Sequence, residues 1–233
     1  VSCRRYIIPS EHVISLYGGH LYYVDIMNKL QITKDAKTQR YLQHTESQKF
    51  HCMATFRPTV DRVVSCWDYR FKQTMETKLP FSANSTPSQW DAFLPTSYSI
   101  YREGCNNEIF RVFGSIPDEQ LVNTLTSHSD ESVDGKAWRT REIDVVLTRV
   151  SRCIPLMINH RCMDSQKIVR HYIPWFSSYF NCSGTTVNQG IDKNDLSIGS
   201  KDTILKHNRL DDAIFQFAEK LFDELLHRIV EIK

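Results

Sequence analysis

Residues 50–56, FHCMATF, form an apolar run of strand length that stops at Arg57-Pro58 and gives way at once to a helical repeat. Apolar residues follow at 60, 63, 64, 67 and 71, a spacing that lines one face of a helix. A strand feeding directly into a helix is the repeating unit of proteins in which helices cover a parallel sheet. This junction constrains the fold more than any other feature of the chain. It puts Arg57 at the carboxyl end of a strand, beside the amino end of a helix, with Ser65 two turns into that helix.

The rest of the chain extends the alternation. HVISLY, residues 12–17, is expected to be a strand closed by Gly18-Gly19, and HLYYVDIMNKL a short helix, followed by a polar loop at 33–49. Residues 72–100 contain Pro80, Pro87 and Pro95 among many serines and threonines, which predicts a long irregular insertion. NEIFRVFGS reads as a short helical or extended piece ending at Gly114, and SHSDESVDG as a disordered tip. IDVVLTRV is expected to be a strand, SRCIPLMINHRC the beginning of a helix, and SGTTVNQGIDKNDLSIGS a loop. From Ile204 to Ile229 a broad apolar stripe of period 3.6 predicts one docking helix, with Asn208 and Asp211 placed as a capping box at its start. His227, Arg228 and Lys233 suit the negative end of that helix. The predicted fold class is α/β, a parallel sheet flanked by helices, in a single domain over residues 1–233.

Composition narrows the function classes. A net charge of +2 does not describe a protein that coats polyanions, so any anion site must come from local placement, and no nucleic-acid partner is expected. No run of 18 apolar residues is present, so no membrane span is expected in this sequence. The chain opens on Val1 with no signal-peptide pattern, so a fragment or trimmed chain is expected, with membrane attachment only through an anchor outside it. The seven cysteines include no CxxC pair, which argues against a zinc ribbon and leaves no metal site expected. Cys52 and Cys66 lie in apolar surroundings and read as plain core residues, whereas Cys105, Cys162 and Cys182 lie in loop-like sequence and are disulfide candidates. Asn84-Ser85-Thr86 and Asn181-Cys182-Ser183 are glycosylation sequons, at Asn84 and Asn181; with the loop cysteines they point to the secretory pathway.

Ligands of parallel sheets bind beyond the carboxyl ends of the strands. The unpaired amides at a helix start attract anions, and an arginine there adds a forked, permanently charged donor. Arg57, the helix start and Ser65 thus form a candidate phosphate clamp. Spacing alone favours a solvated strand-end arginine and a helix-filling serine.

FRPTVDRVVSCWDY resembles the 3′-phosphate-binding segment of sulfotransferases that use 3′-phosphoadenosine-5′-phosphosulfate (PAPS), whose pattern is Arg-Asp-Pro-x-x-Arg-x-x-Ser followed by aromatics. Arg57, Arg62 and Ser65 match in spacing, and Trp67 and Tyr69 supply the aromatics; Pro58 stands where the acidic residue is usual and Thr59 where the proline is. YGGHLYYVD is similar to the HGHVSYLD-type segment of uronyl and heparan sulfate 2-O-sulfotransferases, which puts His20 at the position of the proposed general base. Read without that likeness, His20 is taken as a helix-capping residue. CNNEIFRVFGS resembles the family's Asn-x-x-x-Arg-x-x-Gly segment through Asn107, Arg111 and Gly114, and the C-terminal region resembles its closing Asn-x-x-Asp helix.

The resemblance implies a P-loop-NTPase-like sulfotransferase fold, N-terminally incomplete, because no Pro-Lys-Thr-Gly-x-Thr loop is found. It implies sulfuryl transfer from PAPS, as co-substrate, to a hydroxyl of a carbohydrate or glycan acceptor in the Golgi lumen. In that scheme His20 is the base, Arg57, Ser65 and Arg62 bind the nucleotide, and Asn107 and Arg111 meet the acceptor. The alternative is a catalytically inactive module of the same fold that binds a glycan or a partner protein. A nucleotide kinase of related fold needs the same loop and an acidic pair for magnesium that the sequence does not place.

Overall fold

The computed structural model describes residues 52–73, 86–91, 105–114, 133–182 and 196–231. The strand expected at 12–17, the helix after it, the loop at 33–49 and most of the SHSDESVDG tip lie outside these residues, as do His20 and Asn84.

The described residues are mostly helical around a small parallel sheet. Strand β1 (Cys52–Thr55) leads into helix α1 (Thr59–Gln73), as the change of period predicts. Helices α2 (Glu108–Gly114) and α3 (Val133–Val150) follow. Strand β2 (Cys153–Leu156) pairs in parallel with β1, opposing Cys52 to Cys153 and Thr55 to Leu156. Phe56 extends the ladder by one bond, its N–H donating to Leu156 O at 2.8 Å. Helix α4 (Cys162–Tyr172), a 3-10 helix (Pro174–Tyr179), α5 (Ile198–His207) and α6 (Arg209–Glu231) complete the order.

Helix α6 is the main docking element. Leu210, Ile214, Ala218, Phe222 and Leu225 are buried along one face, at helical spacing. They meet Phe110 of α2, Val146 and Val150 of α3, Ile154 of β2 and Ile168 of α4 in one core. A smaller cluster gathers Val63 and Val64 of α1 with Trp90, Leu196 and Ile204.

Several expectations are corrected. IDVVLTRV is the end of α3, not a strand: Val146 and Val150 are buried, Ile143 and Leu147 are half-buried, and that spacing is helical despite the β-branched content. SRCIPLMINHRC holds β2 before α4 begins; a four-residue strand is too short to separate from a helix by period, and a proline such as Pro155 is uncommon inside a strand. The insertion at 72–100 contains a helical turn at 87–91, where Thr86 Oγ1 accepts from the Gln89 N–H at 3.3 Å. Cys52 and Cys66 are not plain core thiols: disulfides join Cys52 to Cys153, Cys66 to Cys105 and Cys162 to Cys182. The expected use of Cys105, Cys162 and Cys182 in disulfides agrees with this pairing.

The C-terminal stripe is two helices, not one, and its capping box is not formed. The chain breaks at Asn208, whose N–H donates to Leu205 O at 3.0 Å. Instead, α2 and α6 cap each other. Asp211 of α6 accepts from the N–H groups of Ile109 and Phe110, at 3.1 and 2.8 Å, at the start of α2. Asn107, just before α2, returns its Oδ1 to the Asp211 N–H at 3.4 Å. Helix starts carry amides with no intrahelical partner, so reciprocal side-chain caps tie the two ends together.

Candidate functional site

The parallel pairing brings two chain exits to the same end of the sheet. Arg57 leaves β1 there, and the loop after β2 brings Asn159 alongside it. Pro58 O accepts the first helical bond of α1, from the Arg62 N–H at 3.0 Å. The amides of Thr59, Val60 and Asp61 therefore have no carbonyl ahead of them within the helix. Asp61 in this first turn suits the helix dipole.

Arg57 folds back over that turn. Its Nη1 donates to Ser65 Oγ at 3.0 Å. With its amide oxygen turned to the guanidinium, the orientation that satisfies both groups, Asn159 accepts from Arg57 Nε at 3.1 Å and Nη2 at 3.2 Å. Burial lowers the guanidinium pKa from the usual arginine range, Asp61 opposes this, and Arg62 adds to it. Arginine remains charged through such shifts. Among the described residues, Arg57 has no carboxylate within salt-bridge distance. A half-buried cation held by neutral oxygens keeps its charge available to an anionic ligand.

The structure thus brings Arg57 and Ser65 together and adds Asn159, which sequence reading missed. No local signal marks Asn159 as long as the preceding residues read as a helix start. Arg62 is directed elsewhere. Its Nη1 donates to Cys105 O at 2.8 Å and Glu108 Oε2 at 2.9 Å. Its Nη2 donates to Asn208 Oδ1 at 3.1 Å and pairs with Asp211 Oδ2 at 2.8 Å. Arg62 therefore anchors α1 to the α2–α6 junction and does not join the Arg57–Ser65 pair. Burial raises the Asp211 carboxyl above its usual range, against the pull of Arg62 and the two α2 amides.

Asn107 and Arg111 also lie in the interior, 3% and 4% exposed. Asn107 takes a left-handed backbone, φ 46°, which asparagine tolerates better than most residues, and its Nδ2 donates to His207 O at 3.0 Å. Arg111 Nε donates to Asn106 O at 3.4 Å. In this arrangement both face protein groups. Asn181 is exposed in the coil after the 3-10 helix.

Among the described residues no cluster of histidine, cysteine and carboxylate side chains fits a metal ion, and no helix is long and apolar enough to cross a membrane. The three disulfides mark an oxidising environment, extracellular or within the secretory pathway. A shallow groove along α3, lined by Arg141, Asp144, Thr148 and Arg152 among others, is built from one helix and its exit and does not include Arg57. No family model, curated protein or solved structure matches the chain.

Proposed function

We propose that this protein is a PAPS-dependent sulfotransferase of the secretory pathway, working in the Golgi lumen in a eukaryote and acting on a hydroxyl of a carbohydrate or glycan. The observation that carries the reading is the contact between Arg57 and Ser65 at the carboxyl end of a parallel strand, over the first turn of α1. The same two residues carry the resemblance to the 3′-phosphate segment of that family. The sulfotransferase fold is part of the proposal; the parallel β1–β2 pair followed by α1 is compatible with it.

Arg57, Ser65 and the amides of α1 bind and orient the 3′-phosphate. Transfer is in-line: the acceptor oxygen forms a bond to sulfur while the bond between sulfur and the 5′-phosphate oxygen breaks. The acceptor proton passes to His20, and 3′-phosphoadenosine-5′-phosphate leaves. A loose transition state of this kind asks the protein mainly for positioning and for stabilisation of charge. The sulfuryl centre needs a lysine-bearing loop of the type with which the family opens. Arg62 enters the proposal only through α1, which it holds in place.

The test is transfer of labelled sulfate from PAPS to desulfated glycans by the full-length protein. Transfer that falls about 10²–10⁴-fold in His20→Ala, with nucleotide affinity kept, is the expected result. Unchanged turnover in that variant removes His20 as the base. Failure to bind 3′-phosphoadenosine-5′-phosphate at all overturns the assignment.

A further inference from the structure

We infer that Asn159 is a positioning residue for the anion site: a neutral clamp that holds the Arg57 guanidinium so that its charge and its free edge face the nucleotide phosphate. This rests on the nucleotide-binding reading of the Arg57 corner. A guanidinium has five N–H bonds. Asn159 takes the side edge, Nε and one bond of Nη2, and Ser65 takes one bond of Nη1. The two that have no partner among the described residues lie one on each Nη, the pair of nitrogens that forms the end-on fork for phosphate oxygens. Ser65 uses a lone pair toward Arg57, so its own O–H remains able to donate to the same anion.

The chemistry of the clamp matters as much as its place. An asparagine oxygen fixes the roll of the guanidinium without neutralising it. An aspartate in the same position would hold Arg57 more tightly but would put a negative charge where the phosphate docks. Asn159 is exposed and lies in the loop after β2, while Arg57 leaves β1. The β1–β2 register, locked at Cys52–Cys153, therefore sets the distance between clamp and cation.

The experiment is calorimetric titration of 3′-phosphoadenosine-5′-phosphate into full-length protein carrying Asn159→Ala, Asn159→Asp, Arg57→Lys, Arg57→Ala, or Asn159→Ala with Arg57→Lys, with the melting temperature measured for each. Asn159→Ala is expected to weaken binding about five- to tenfold, the scale of one ordinary hydrogen bond, because the asparagine acts through Arg57 and does not itself touch the nucleotide. Asn159→Asp is expected to weaken it more while melting no lower than the parent. In the Arg57→Lys background, where lysine offers no side edge to grip, Asn159→Ala is expected to add nothing. A merely structural asparagine gives the opposite pattern: the isosteric aspartate is the milder change, and the alanine effect is as large in the Arg57→Lys background as in the parent. Either that pattern or unchanged affinity in Asn159→Ala overturns the role of Asn159. If Arg57→Ala removes binding while Asn159→Ala does not, only the clamp falls; if Arg57→Ala binds like the parent, the site itself falls.

Discussion

Arg62 of α1 and Asp211 of α6 form a buried ion pair at 2.8 Å, with the arginine side chain 9% and the aspartate side chain 0% exposed. The carboxylate also caps α2, so one residue pair joins three helices. Removing one partner of such a pair leaves an uncompensated buried charge, at a cost of about 3–5 kcal/mol. Arg62→Met should therefore lower unfolding stability by about that amount in urea titration. Its affinity for 3′-phosphoadenosine-5′-phosphate, measured on folded protein, should stay within about twofold of the parent if Arg62 acts only through the scaffold. A large affinity loss with little change in stability would return Arg62 to the ligand site.

Six of the seven cysteines pair among the described residues, and Cys3 lies outside them. Alkylation of the denatured, unreduced protein followed by peptide mapping should leave these six cysteines unmodified. Cys66→Ala with Cys105→Ala should cost about 2–4 kcal/mol, since that disulfide closes a long loop in the unfolded chain. Alkylation of any of the six, or no change in stability in the double variant, contradicts the pairing.

Asp91 docks the helical turn at 87–91 onto α5. It accepts from His207 Nε2 at 2.8 Å and lies 3.5 Å from Lys206 Nζ. The hydrogen bond with His207, and then the charge of Lys206, hold its carboxyl below the usual range. A carboxyl depressed in the fold contributes stability above its unfolded pKa of about 3.9 and loses it as pH falls through the folded value. Acidification below about pH 4 should thus reduce the hydrogen-exchange protection of the Trp90 amide, which bonds to Thr86 O at 3.1 Å. Protection that is the same on both sides of that range excludes the contact as a dock.

The sequence made the β1–α1 junction readable because the hydrophobic period changes from strand to helix within a few residues around Arg57-Pro58. Arg57 and Ser65 could be named as a candidate pair because both belong to that junction, although spacing alone did not favour that pairing over a solvated arginine and a helix-filling serine. Asn159 could not, because its place depends on β2, a short buried run whose Pro155 hides it. Cys52 and Cys66 were misread for a related reason: apolar neighbours surround a buried thiol and a buried disulfide alike. Asn208 and Asp211 have the spacing of a local cap, yet both turn to α2, a long-range choice that no window of sequence contains.

The central claim is that Arg57 and Ser65 hold the 3′-phosphate of a nucleotide. Titration calorimetry of 3′-phosphoadenosine-5′-phosphate into the full-length protein and its Arg57→Ala variant tests this most directly. The account predicts saturable binding to the parent and a loss of about ten- to a hundredfold in the variant, the scale of a charged hydrogen bond, with an unaltered melting temperature. Equal affinity in the two proteins contradicts it.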